Sequence, residues 1–226
     1  MIQKETLMNL AYEQLKIEIL EGKIQQGSMY STQYFADYLN ISKTPCREAL
    51  QRLEKEGLVE LNQAHGVVIK GVTMQKLLNI TQFRSAIDSY CAYYMAENIE
   101  RPEAQEVLKR LKDLCDRQQC LLEEVDDANI NASREWYDLD NSFHTVMCEF
   151  TSNPRIIGQR RNIDGYIKHI GIITANIESR KQQSVDENRE LLEVIEKNKP
   201  FEAYRASRMH AEKIYRLMLQ VKTLKK

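Results

Sequence analysis

The stretch DLDNSFH sets Asp140 and His144 four residues apart, so on a helix both side chains leave one face a single turn apart. A carboxylate beside an imidazole suits a divalent ion such as zinc, nickel or manganese, and equally suits a plain hydrogen bond. His210 adds a third donor. The chain breaks at Asn198-Lys199-Pro200, and Asn188 and His210 lie eleven residues either side of Lys199. In an antiparallel helical hairpin such equidistant positions face each other. Arg84, in FRSAID, offers a guanidinium that would bind a small carboxylate bidentately if buried, or would pair with Asp88 four residues on. Tyr166, in IDGYIKHIG, is one of many aromatics able to line a cavity for such a ligand.

A second kind of chemistry lies in NISKTPCREALQRLEKEGLVE, where Lys43, Arg47, Arg52 and Lys55 follow one helix. At the N-terminus of a helix that enters a DNA groove, Lys43 and Thr44 would meet phosphate and Arg47 a guanine edge. The alternative is a solvated face held by intrahelical pairs, since Glu48, Arg52 and Glu56 follow at four-residue steps. That alternative explains Arg52 better than Arg47, which has no acid three or four residues on.

Composition narrows the choice. The 226 residues are 42% hydrophobic and 29% charged, with a formal charge of −1, as in an ordinary globular protein. Residues 1–72 hold eight Lys and Arg against nine Asp and Glu, so any duplex-binding surface must concentrate its cations locally. No apolar run reaches the roughly 20 residues that span a bilayer, and MIQKETLMNL lacks the apolar centre of a secretion signal. Five cysteines without metal spacing read as reduced thiols of a cytoplasmic protein that has no membrane partner.

The elements that must position these residues follow from periodicity and capping. Leu7, Leu10, Ala11, Leu15 and Ile19 make a helical stripe over 5–21, ended by Gly22. A short helix fits 32–39 behind Ser31 or Thr32, and a third runs from a cap at Ser42 or Thr44 to Gly57, with Pro45 in its first turn. LVEL and GVVIK, joined by NQAH, read as a hairpin in which Gly66 supplies a turn conformation. That order, with His65 and Gly66 at the hairpin tip, predicts a winged helix-turn-helix over residues 1–72. The rest, 73–226, predicts an all-helical bundle: 73–98 with Leu77, Ile80, Phe83, Ile87, Cys91 and Tyr94 on one face, then 102–124, 130–151, 155–180, 184–197 and 200–222.

SKTPCREALQRLEKEGLVE followed by HGVVI resembles the GntR family of bacterial transcription regulators, and the second half resembles the helical effector domain, FCD, of that family's fatty-acid-regulator branch. The resemblance implies a homodimer on a palindromic operator, with Lys43, Thr44 and Arg47 on the DNA and His65 and Gly66 at the minor groove. It implies a divalent metal held by Asp140, His144, His210 and Asn188, the last standing where histidine is usual. It also implies a small organic acid as effector, facing Arg84. Lys43 replaces a usual arginine, and Gln33 stands where a charged residue often grips DNA. The rival reading is a helical metal-dependent enzyme acting on a small acid. Nothing in the sequence supplies it with a nucleophile motif or a general base.

Overall fold

A computed structural model describes residues 6–62, 66–124, 130–174, 177 and 179–224. The chain divides into two compact units, Met1–Thr73 and Met74–Lys226.

The first unit runs α1 (Leu7–Leu20), β1 (Met29–Tyr30), α2 (Thr32–Tyr38), α3 (Lys43–Lys55), β2 (Val59–Asn62) and β3 (Gly66–Ile69). Each helix starts on a small polar residue. Thr6 Oγ1 accepts from the Asn9 amide at 3.2 Å and Ser31 Oγ from the Tyr34 amide at 3.0 Å, satisfying N–H groups that a helix start leaves unpaired. Ser42 caps α3 without a side-chain bond, and Pro45 falls in the first turn, where its missing N–H costs nothing. Leu15 of α1, Phe35 of α2, Leu50 and Leu53 of α3, and Val67 and Ile69 of β3 form the core.

Two features depart from expectation, the third strand of the wing and the buried face of α1. The wing has three strands in the order β1-β3-β2, because Met29 and Tyr30 pair with Val68 and Val67. A two-residue strand is too short to display a period. Gly66 is needed twice over: its φ is +86°, and a Cβ there would collide with the Tyr30 carbonyl. On α1 the buried stripe is not led by Leu7 and Leu10, which are exposed; Tyr12 and Lys16 are buried instead. They turn inward because Glu56, which caps the end of α3, receives both, Tyr12 through its hydroxyl and Lys16 across 3.0 Å.

The second unit is helical throughout its described residues: α4 (Met74–Glu97), α5 (Pro102–Glu124), α6 (Ile130–Phe150), α7 (Pro154–Asn162), α8 (Asp164–Thr174), α9 (Arg180–Glu196) and α10 (Pro200–Leu224). Met95, Leu111, Phe143, Met147 and Ile195 centre its apolar core. The single helix expected over 155–180 is two. Asp164 opens the second of them, where a helix N-terminus favours a carboxylate, and pairs back to Arg160. The next helix begins at Arg180, four residues before the expected 184. Along α4, Phe83 is exposed while Thr81, Arg84 and Asp88 are buried, so this helix turns polar groups inward. Among the described residues no helix is long and apolar enough to cross a membrane.

Candidate functional site

The α9–α10 hairpin and α6 bring the expected donors together in the second unit. Atoms of Asp140, His144 and His210 able to bind a metal lie within 4.8 Å of one another, and all three residues are buried. Asn188 joins them: its Nδ2 donates to Asp140 Oδ1 at 3.3 Å, beside Ser184 Oγ at 3.1 Å. His210 gives its Nδ1 edge to Glu187 Oε2 at 2.7 Å, while its Nε2 makes no hydrogen bond. His144 has its Nδ1 3.5 Å from Asp88 Oδ2, and neither ring nitrogen is hydrogen-bonded. Buried ring nitrogens are rarely left unsatisfied without a ligand or water to meet them.

Electrostatics suits the same use. Burial, with Arg84 next, pushes the His144 imidazole well below the usual histidine range, so it stays neutral and keeps a lone pair. Burial pushes the Glu187 carboxyl up, but the hydrogen bond from His210 and the nearby charges outweigh it and hold it at about 2. Ionised Glu187 fixes the His210 tautomer that leaves Nε2 free, as carboxylates behind metal-binding histidines do. The residues therefore fit a divalent ion. Ligand atoms about 2.1 Å from a tetrahedral ion lie roughly 3.4 Å apart, so donors up to 4.8 Å from one another must draw inward to close on one.

Next to this cluster lies a cavity of about 30 Å³, lined by Arg84, Trp136, Tyr137, Asp140, Lys168 and Arg180 among others. That is room for a water or two. Arg84 is buried, lines that cavity, and makes the pair with Asp88 considered for it. Its Nε donates to Asp88 Oδ2 at 2.9 Å, while its NH2 lies 3.8 Å from Asp140 Oδ2 without a hydrogen bond. Tyr166 is buried but does not line the cavity; Lys76 lies 4.7 Å from the centre of its ring. Its neighbours Ile167 and Lys168 are the lining residues, because one step along a helix turns a side chain by about 100°.

Several buried charged neighbours of this cluster escaped the sequence. Arg160 is wholly buried and donates to Asp88 at 3.2 Å and Asn141 at 2.7 Å. Arg180 lines the cavity with both terminal nitrogens on Glu187 at 3.2–3.3 Å. Glu187 is twelve residues from Lys199 and His210 eleven, so hairpin symmetry alone did not pair them. Nothing local distinguishes Arg160 from Arg161 beside it.

In the first unit, Lys43, Thr44 and Arg47 are exposed at the start of α3. They line, with Thr32, Glu48, Gln51, Leu61, Asn62 and Gly66, a concave surface of about 630 Å³ between α3 and the wing. Lys43 and Arg47 have no side-chain partner among the described residues, whereas the pairing expected for Arg52 is replaced. Its guanidinium sits 3.7 Å from the Tyr12 ring centre and donates to Asn9 at 3.3 Å, so a tertiary contact to α1 takes the place of an intrahelical pair. Gln33 is tied to Asp37 at 2.6 Å. His65 lies outside the described residues.

Comparison with known proteins follows the same division. Residues 7–69 match bacterial regulatory proteins of the gntR family, and residues 79–213 match the FCD domain. The chain is 23% identical over 188 residues to the HTH-type transcriptional regulator YdhC of Bacillus subtilis, covering 82% of this chain and 79% of that one. It is 19% identical over 213 residues to the HTH-type transcriptional repressor RspR of Escherichia coli, covering 93% and 88%. The solved structure of E. coli McbR/YncC shares the fold, with a TM-score of 0.71 at 17% identity over 96% of this chain and 99% of that one. A gntR-family DNA-binding region followed by an FCD domain that spans more than half of the chain leaves one assignment: this protein belongs to the GntR family, and it is a transcriptional regulator rather than an enzyme.

Proposed function

We propose that residues 1–72 bind a palindromic operator and residues 73–226 bind an effector, the protein acting as a cytoplasmic homodimer. The reading rests on one observation above all: Arg47 is exposed and unpaired among the described residues, on the concave face that the wing closes. Lys43 and Thr44 hold phosphate at the helix start, Arg47 reads guanine, and His65 and Gly66 enter the minor groove beside it. Two-fold symmetry sets the two α3 helices about one helical turn of DNA apart.

In the second unit Asp140, His144 and His210 hold one divalent ion, zinc, nickel or manganese, with Asn188 in the fourth position. The bound ion supplies a Lewis-acidic centre beside the cavity. Glu187 orients His210, and Arg84 receives the carboxylate of a small organic acid. With only about 30 Å³ at hand, the acid must displace water and move the lining, which is how its binding favours one arrangement of the helices.

Retention of the full-length protein on its own promoter fragment tests the first part. Binding falls steeply with salt, and Arg47→Ala weakens it about 5- to 150-fold at low salt. Retention unchanged by that substitution overturns the operator reading. Native mass spectrometry tests the rest, with a dimer carrying one metal per chain expected and a metal-free monomer the contrary result.

A further inference from the structure

We infer that Glu48 is a specificity-determining residue, selecting at one position of each operator half-site a base that presents an exocyclic amino group in the major groove. The inference rests on the operator reading and goes beyond it by naming a base class. Glu48 follows Arg47, is exposed, and lines the same concave face.

The other acids near α3 each have a structural task. Glu54 accepts the Leu61 amide at 2.8 Å, Glu56 receives Tyr12 and Lys16, and Glu60 pairs with Lys70 at 2.5 Å. Glu48 has no hydrogen-bond or ion-pair partner among the described residues. Its natural one, Arg52 four residues on, is drawn away to Tyr12 and Asn9. The packing of α1 on α3 therefore leaves a bare carboxylate on the surface that faces a polyanion.

Such a group is costly there unless a donor meets it. Phosphates and sugar oxygens of a duplex offer it no donor. Among base edges in the major groove, only cytosine N4 and adenine N6 donate, while guanine O6 and thymine O4 would face the carboxylate with lone pairs. Arg47 and Glu48 thus read opposite patterns from adjacent positions. Arg47 takes acceptors and Glu48 takes a donor, and a carboxylate at this place penalises wrong bases more than it strengthens right ones.

The test uses full-length protein and duplexes in which each half-site position is varied in turn, binding being measured at one fixed salt concentration. At one position the unaltered protein prefers cytosine or adenine over guanine or thymine by roughly tenfold or more. Glu48→Ala flattens that position alone, and it binds random duplex at least as tightly, since a negative charge has left a phosphate-facing surface. Glu48→Gln, nearly the same shape but able to donate as well as accept, keeps the fold and loosens the preference at the same position. The inference is overturned if both variants keep every base preference while specific and random binding shift equally. A failure of the operator reading looks different: the unaltered protein itself then fails to separate operator from random duplex, and Arg47→Ala changes nothing.

Discussion

The two chemical regions of this molecule handle charge in opposite ways. On α3, Lys43, Arg47 and Glu48 stand exposed and without partners among the described residues. In the second unit Arg84, Asp88, Arg160 and Arg180 are buried, and each is matched, Arg160 and Arg84 to Asp88 and Arg180 to Glu187. The difference is one of solvent. Water solvates an exposed charge until a ligand arrives, so no protein partner is needed. A charge taken out of water costs several kcal/mol unless a partner and hydrogen bonds meet it, so a buried site must be neutral as built. A ligand meeting α3 would thus add contacts, whereas one entering the helical unit would have to exchange them.

That contrast can be broken at its buried end first. Arg160→Ala leaves Asp88 short of a partner in a dry setting, with an expected loss of about 3–5 kcal/mol. Calorimetric unfolding should show the drop, and an unaltered transition would mean that Asp88 is not held by charge. The exposed end answers differently. Arg47→Ala should weaken operator binding by about 1–3 kcal/mol with no change in thermal unfolding. Any comparable loss of stability there would show that Arg47 has a structural contact.

Glu187→Gln probes the join between buried charge and ion. Metal affinity, read by competition with a chromophoric chelator, should fall about 10–100-fold while operator affinity without metal is retained. Equal affinity in both proteins would remove Glu187 from the site. The smallest effect belongs to Arg52→Ala, which loses a stacked cation worth about 0.5–2 kcal/mol to stability and should leave base preference untouched. A shift in operator preference would instead return Arg52 to the DNA-facing set.

Legibility divided along similar lines. The order of helices and wing in the first unit followed from capping residues and short apolar runs, and the helical second half from long periodic segments. The donors Asp140, His144 and His210 were legible because their spacing and the hairpin symmetry are local facts. Tyr166 lies one helical step from the residues that line the cavity, a difference periodicity does not resolve, and the third wing strand, Met29–Tyr30, was too short to signal. The face of α4 was blurred because Arg84 and Asp88 are buried like apolar residues.

By itself, then, the sequence determined which stretches are helical, apart from the break at Ile163 and the early start of α9, and which run of cations opens α3. Those properties are written within a few neighbouring residues, as hydrogen bonds to the next turn and a repeat of polar and apolar side chains. Only the tertiary structure decided which charges pair. Arg160 meets Asp88 across 72 residues, and Arg52 forsakes Glu48 for an aromatic ring on α1. Many partners of equal chemistry exist along the chain, and packing alone selects one by bringing it within reach and removing the water between.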